Sequence, residues 1–295
     1  MAERETGTTV ETSVESAYAH CMSALRDSDR DRYLATLLMP AQVRPHIAAL
    51  FEFDAEIARI RDLVKEPLAG EIRIQWWRDV LSYPPIRPAA GNPVAEALLD
   101  TVDRFGLPRE SLQRYLDARV GDLYDDLFPD RTAFEAYAGE TSSTMLQLSA
   151  LIIAPEQAPK VVEAAGHGGV ALTVADALLS MPRDVRRGKV RMPPDILRAC
   201  GLDRDSFLAD ADSRKLTALQ AALVAYGLEH LEKARAVRMA REAPVFQAFL
   251  PLVPVAQTLE AYRKRPVADP RRERIEIAQW RRQWRLWRSA NRSLF

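Results

Sequence analysis

Asp122, Asp125 and Asp126 fall at i, i+3 and i+4, a spacing that sets three carboxylates on one face of a helix. Such a set can bind a divalent cation, since Mg²⁺ usually takes one or two carboxylates together with substrate phosphates. The same residues also read as a solvated acidic face closing a helix before Pro129. Acids in a C-terminal turn oppose the helix dipole, which speaks for a retained function or partner. A second group is cationic: Arg186-Arg187-Gly188-Lys189 can hold a phosphate or a phospholipid head group through charge-assisted hydrogen bonds. Other chemistries are absent from the pattern. There is no Gly-x-Ser-x-Gly elbow, so Gly166-His-Gly-Gly169 is read as tight helix packing. The four histidines have no metal-ligand spacing. Cys21 and Cys200 stand far apart without a Cys-x-x-Cys, as free thiols of a reducing compartment do.

The elements that must position these groups are helices. Glycine is scarce at 12 of 295 residues, and alternating Val/Ile/Thr runs are nearly missing. An apolar share of 47% suits a folded, soluble chain, and the length allows one large core or two smaller ones. The most regular stretch is Ala49 to Glu66. Its apolar positions Ile47, Leu50, Phe53, Ile57, Ile60 and Val64 step by three and four, as a buried helical face does. Further helices are expected from Ser13 to Asp27, from Pro93 after the N-capping Asn92, from Pro108 onward, from Arg214 to Arg238, and around Pro244 to Tyr262. Tyr83 to Pro93 is a proline-rich loop. Residues 1 to 10 are expected to be disordered, and 11 to 295 to form a single domain. Trp76 and Trp77 are expected to pack in the core.

Two stretches resemble the squalene/phytoene synthase family. There the first helix reads roughly Ala-Leu-Tyr-x-Phe-x-x-x-x-Asp-Asp-x-x-Asp, and the acids hold magnesium against a prenyl diphosphate. Here the three acid positions fall on Ala58, Arg59 and Asp62. The second stretch is Gly169 to Pro193, ungapped against the family's Gly-x-Ala-x-Gln-x-Thr-Asn-Ile-x-Arg-Asp-x-x-x-Asp-x-x-x-Gly-Arg-x-Tyr-Leu-Pro. Gly169, Ala171, Asp184, Gly188, Lys189 and Pro193 are in step, while the glutamine, asparagine, arginine and first aspartate fall on Thr173, Asp176, Leu179 and Ser180. Pro182 is expected to break the helical ladder of 176, 180 and 184, at about 3 kcal/mol if helical. Tyr33, Leu34, Ala35, Leu38 and Pro40 match a Ser-rich family stretch that helps hold diphosphate. Asp29 and Asp31 there would repel an anion unless Arg30 and Arg32 face it; otherwise the segment is a solvated helix start. Asp122 matches an aspartate of the family's Met-x-x-Asp-Leu pattern, and Thr141, Ser142 and Ser143 keep the small residues of another. Glu56-Ile-Ala-Arg-Ile-Arg-Asp-Leu-Val, with Gly70-x-x-Arg-x-Gln-Trp-Trp-Arg78, is most similar to the branch containing the mitochondrial complex I assembly factor.

The resemblance spans Tyr33 to Trp287 and implies an all-α isoprenoid synthase (terpenoid synthase-like) helical bundle around a central cavity. It implies a non-catalytic relative that assists assembly of respiratory complex I, with complex I subunits or assembly intermediates as partners and no cofactor. The alternative is an Mg²⁺-dependent head-to-head prenyltransferase acting on farnesyl or geranylgeranyl diphosphate, with Asp62, Asp122, Asp176 and Asp184 as its metal and catalytic set. A third reading is a lipid or prenyl-phosphate binding protein. In it Arg59, Arg61, Arg186, Arg187 and Lys189 serve as anion partners in place of metal.

The formal net charge of zero hides an asymmetry: residues 263 to 295 carry eleven Lys/Arg against three Asp/Glu. So acidic a body excludes nucleic acid as the main partner. Between Ile275 and Phe295, Ile277, Trp280, Trp284 and Trp287 recur at helical spacing among Arg281, Arg282, Arg285 and Arg288. Such a helix either lies in an anionic membrane interface or docks on the core with arginine stems over apolar surface. With no signal peptide and no apolar run of about 18 residues, the expected location is cytoplasmic. Peripheral contact at the inner face of the cytoplasmic membrane is then open to the tail.

Overall fold

A computed structural model describes residues 3–89, 91–124, 128–209 and 212–295, the side chains of 3–13 excepted. Among them every regular element is helical. The α-helices are α1 (Glu3–Ser28), α2 (Arg30–Leu37), α3 (Arg44–Leu63), α4 (Pro67–Leu81), α5 (Pro93–Phe105), α6 (Arg109–Val120), α7 (Arg131–Ala138), α8 (Thr144–Ile153), α9 (Val162–Arg186), α10 (Pro194–Ala199), α11 (Arg204–Leu208), α12 (Ser213–Ala236), α13 (Leu252–Lys264) and α14 (Gln279–Ala290). A π-helical turn, Gly139–Ser143, joins α7 to α8. Helix α1 begins at Glu3 rather than near Ser13. Asn92 caps α5 by accepting from the Ala95 N–H, with Pro93 in the first turn, as expected.

The chain falls into two compact units, residues 1–123 with 148–156, and 124–147 with 157–295. In the first, α1 packs on α3 and α5, and α4 packs on α6. The apolar stripe of α3 is the reason. Ile47, Leu50, Phe53, Ile57 and Ile60 are all buried, each contributing about 1.5–3 kcal/mol by leaving water. Val64 already lies outside the helix as its extended C-cap, and Pro67 opens α4. Trp77 is buried edge-on to Phe53, with ring centroids 4.9 Å apart, while Trp76 is half-buried.

In the second unit α9 is the central helix, flanked by α12, α13 and the π-helical turn. The turn approaches it where Gly169 faces Ser143. Helix α9 does not break at Pro182. It continues to Arg186 with the proline inside. The Leu178 carbonyl, four residues earlier, loses its helical donor to the proline ring. The Tyr262 hydroxyl of α13 lies 3.5 Å from that oxygen and supplies a substitute. No helix among the described residues is long and apolar enough to cross a membrane.

Candidate functional site

Helix α3 carries Glu52, Asp54, Arg59, Arg61 and Asp62; of its two buried acids, Asp54 meets cations from other helices and Glu52 meets Arg59 of α3 itself. Asp54 is 4% exposed. Its carboxylate pairs with Arg32 of α2 and lies 2.8 Å from Arg119 Nη2 of α6, and it also accepts a hydrogen bond from the Tyr115 hydroxyl. Burial pushes the Asp54 pKa up, but the two guanidiniums and the tyrosine outweigh it and hold it well below the usual carboxylate range. Burial raises the Tyr115 pKa far above that of a free phenol, with Arg119 opposing. Burial lowers the Arg32 pKa, and Asp54 and Asp29 more than reverse it.

Asp122 closes the same network from the short 3₁₀ turn Gly121–Leu123. Its Oδ2 lies 3.2 Å from Arg119 Nη1 and 3.9 Å from Arg61 Nη1. Asp122 is buried, so it is no part of a solvated acidic face. Asp125 and Asp126 lie outside the described residues. Asp62 is half-buried near the end of α3. Arg59 turns to Glu52, 3.1 Å from its Oε1, and Ser28 donates to the other oxygen. Glu52 is fully enclosed, and burial raises its pKa against the pull of Ser28 and Arg59. Asp29 caps α2 by accepting from the Arg32 N–H, so the segment is a helix start, while Arg32 itself points inward to Asp54.

In the second unit the four-residue spacing on α9 survives, and Ser180 Oγ donates to Asp184 Oδ2 at 2.7 Å. Asp184 is buried and also lies 3.4 Å from Arg183 Nε. Asp176, one turn before Ser180, is exposed. Thr173 returns its hydroxyl to the Gly169 carbonyl of its own helix. Arg186 and Arg187 are exposed and Lys189 half-buried at the C-terminus of α9, where cations complement the helix dipole. Gly188 makes the left-handed turn there, and the Lys189 N–H returns to the Asp184 carbonyl.

A Mg²⁺ ion needs carboxylate oxygens at about 2.0–2.1 Å in octahedral array. Asp54 and Asp122 instead direct their oxygens at guanidiniums, and Asp184 at a hydroxyl and Arg183. Among the described residues no group of three or more His, Cys, Asp or Glu converges as a metal site. As placed, Asp54, Asp122 and Asp184 do not fit magnesium.

The family model for squalene/phytoene synthase matches residues 25–288. The chain belongs to the squalene/phytoene synthase family. It is 30% identical over 250 residues to the complex I assembly factor 6 of Bos taurus, covering 83% of this chain and 72% of that one. With the factor of Rattus norvegicus it shares 28% over 252 residues, 85% and 74% of the two chains. A presqualene diphosphate synthase of Rhodopseudomonas palustris is 27% identical over 207 residues, 68% of this chain and 72% of that one. Among solved structures, a dehydrosqualene synthase in complex with ligand superposes with a TM-score of 0.74 at 16% identity, covering 96% and 98% of the two chains. The fold is therefore the all-α isoprenoid synthase fold.

Within the family motif, the position of one acid is taken by Arg59, and this arginine neutralises Glu52 inside its own helix. Sequence spacing missed the Arg32–Asp54–Arg119–Asp122 network. The one available signal was an acid pair, Glu52 and Asp54, flanking Phe53 in the middle of an apolar stripe. Also missed was a contact between His167 and His230, whose Nδ1 atoms lie 3.1 Å apart. Glu135 sits 3.8 Å from His230 Nε2 and accepts from the Tyr226 hydroxyl at 2.6 Å.

Proposed function

We propose that this chain is a non-catalytic member of the squalene/phytoene synthase family that assists assembly of respiratory complex I, through contact with its subunits or assembly intermediates. The observation that carries this reading is the engagement of Asp54 and Asp122 by Arg32, Arg61 and Arg119. Diphosphate departure needs positive charge brought in by metal, and carboxylates already matched by internal cations do not recruit it. Similarity to the assembly factors across more than four-fifths of the chain supports the same reading. Its place of action on this reading is the cytoplasmic side of the membrane that bears the complex, and it needs no cofactor. Deleting the gene in its host and assaying membranes tests it. NADH:quinone oxidoreductase activity is expected to fall while succinate:quinone oxidoreductase activity holds; unchanged NADH oxidation overturns the proposal.

A further inference from the structure

Helix α14 (Gln279–Ala290) both docks on its unit and leaves an apolar stripe in water. Leu286 is 1% exposed and Ser289 is buried beside it. Beyond the helix, Phe295 stacks on Phe249 with ring centroids 5.5 Å apart, and Arg235 reaches the Phe295 carbonyl. Gln257 of α13 donates to the Arg281 carbonyl at 3.2 Å. The helix is thus held along one side. Trp280, Trp284 and Trp287 remain 65%, 52% and 58% exposed. Ile277, expected to belong to the same helix, lies before its first turn.

At about 100° per residue the three tryptophans share about 60° of arc, and Arg281, Arg285 and Arg288 fill the next. Leu286 and Ser289 occupy the far side. The helix holds four arginines and no acid. Arg281 lies over the Trp280 ring and Arg288 over the Trp284 ring, each 5.2 Å from the centroid. Trp284, Arg285, Arg288, Ser289, Arg292 and Leu294 line an open groove of about 310 Å³, so three guanidiniums converge beside an indole.

We propose that this face docks on the anionic phospholipid surface of a membrane, with Trp280, Trp284 and Trp287 lodged among the head groups and Arg285, Arg288 and Arg292 gripping lipid phosphate in the groove. Indole rings favour the boundary where one edge is apolar and the other wet. Guanidinium forks match phosphate oxygens. The positive charge of Arg285, Arg288 and Arg292 beside an apolar stripe fits an anionic bilayer better than an apolar protein surface, which would offer these guanidiniums no phosphate. The helix lies in the plane of the interface and does not enter further. This inference does not depend on the assembly role, because vesicle binding requires no complex I.

Co-sedimentation of the full chain with vesicles of phosphatidylcholine alone, or mixed with phosphatidylglycerol, tests it. Binding is expected to the mixed vesicles, to weaken roughly tenfold in high salt, and to shift tryptophan emission to the blue. Trp280→Ala/Trp284→Ala/Trp287→Ala removes the blue shift and lowers affinity at least about tenfold. Arg285→Gln/Arg288→Gln/Arg292→Gln abolishes the preference for anionic lipid. Quenching of the unmodified chain by brominated lipid gives a reading that no variant's folding can disturb. Equal binding to both vesicles, absence of quenching, or undiminished binding by the tryptophan variant overturns the proposal. So does a dimer in light scattering that the tryptophan variant dissociates, since the stripe then meets a second copy.

Discussion

Arg119 Nη1 lies 3.2 Å from Asp122 Oδ2, and the second nitrogen of the same guanidinium lies 2.8 Å from Asp54. One planar cation therefore ties α6 to α3 and holds the buried acid of the turn that follows it. With Arg32 on Asp54 and Arg61 beside Asp122, three guanidiniums face two carboxylates. A dication arriving here would find these carboxylate oxygens already facing guanidiniums. Arginine serves this purpose better than lysine because its fork can bond two acids at once in fixed geometry.

Asp54→Asn keeps the side-chain shape and removes its charge, so Arg32 keeps only the more distant Asp29 and Arg119 keeps Asp122, and both lose their shared buried partner. Breaking a buried pair from one side costs about 3–5 kcal/mol. Asp117→Asn, whose carboxylate is 64% exposed and faces Arg78, serves as the surface control and should cost less than about 1 kcal/mol. Urea unfolding of the two variants checks the contrast, and similar losses for both would deny the network its structural role.

Asp54 and Glu52, two residues apart, should move stability in opposite directions with pH. The folded pKa of Asp54 is depressed below the unfolded value of about 3.9. Its contribution is complete above that value and is lost as pH falls through the folded pKa. Glu52 is raised by burial, so its contribution is present below an unfolded pKa of about 4.3 and is lost as pH rises through the folded one. Difference curves against the unmodified chain isolate each group. Asp54→Asn should flatten the acid limb, and Glu52→Gln should gain relative stability as pH climbs toward neutrality. A Glu52→Gln curve parallel to that of the unmodified chain would contradict the assigned direction.

Residues of one helix were legible in the sequence; partners brought from distant helices were not. The apolar stripe of α3 could be read because its period is local, and the Asn92 cap and Pro93 start likewise lie within one turn. Asp54 could not be paired, since Arg32 and Arg119 stand 22 and 65 residues away. The family motif marked Ala58 and Arg59 as departures, yet even within one helix it gave no hint that Arg59 pairs with the buried Glu52. Pro182 was misread for the same reason. A proline rule weighs the helix alone, whereas the Tyr262 hydroxyl that faces the stranded Leu178 carbonyl comes from α13.

Gly169 tests the close approach of α9 to the π-helical turn. A Cβ there would stand 2.5 Å from the Ser143 backbone nitrogen and 2.8 Å from its Cα, neither of which can swing aside. Gly169→Ala should cost about 1–3 kcal/mol through overpacking, with Ser142 and Thr173, now 3.1 Å apart, pushed from contact. Gly166 lies one turn earlier on the same helix, and a Cβ there meets nothing within 4 Å. Gly166→Ala should gain about 0.5–1 kcal/mol from helix propensity alone. Thermal melts of the pair separate packing from propensity. Equal shifts in the two would refute the close contact.

The engaged carboxylates also make a prediction about magnesium. A cation present at ten times its dissociation constant would stabilise the folded chain by about 1.4 kcal/mol, a rise of a few degrees in Tm for a chain of this size. Titration with millimolar Mg²⁺, alone and with inorganic pyrophosphate, should leave the Tm where it stands. Incubation with farnesyl or geranylgeranyl diphosphate and Mg²⁺ should release no pyrophosphate. Release of pyrophosphate with a C30 or C40 product would mean that Asp62, Asp122, Asp176 and Asp184 rearrange around metal when substrate binds. Arg119 would then have to leave Asp122, and Arg119→Ala should in that case raise turnover rather than lower it. A chain whose acids are permanently matched by its own arginines gives no turnover with either side chain at position 119, so the two variants assayed together separate a rearranging enzyme from a non-catalytic relative.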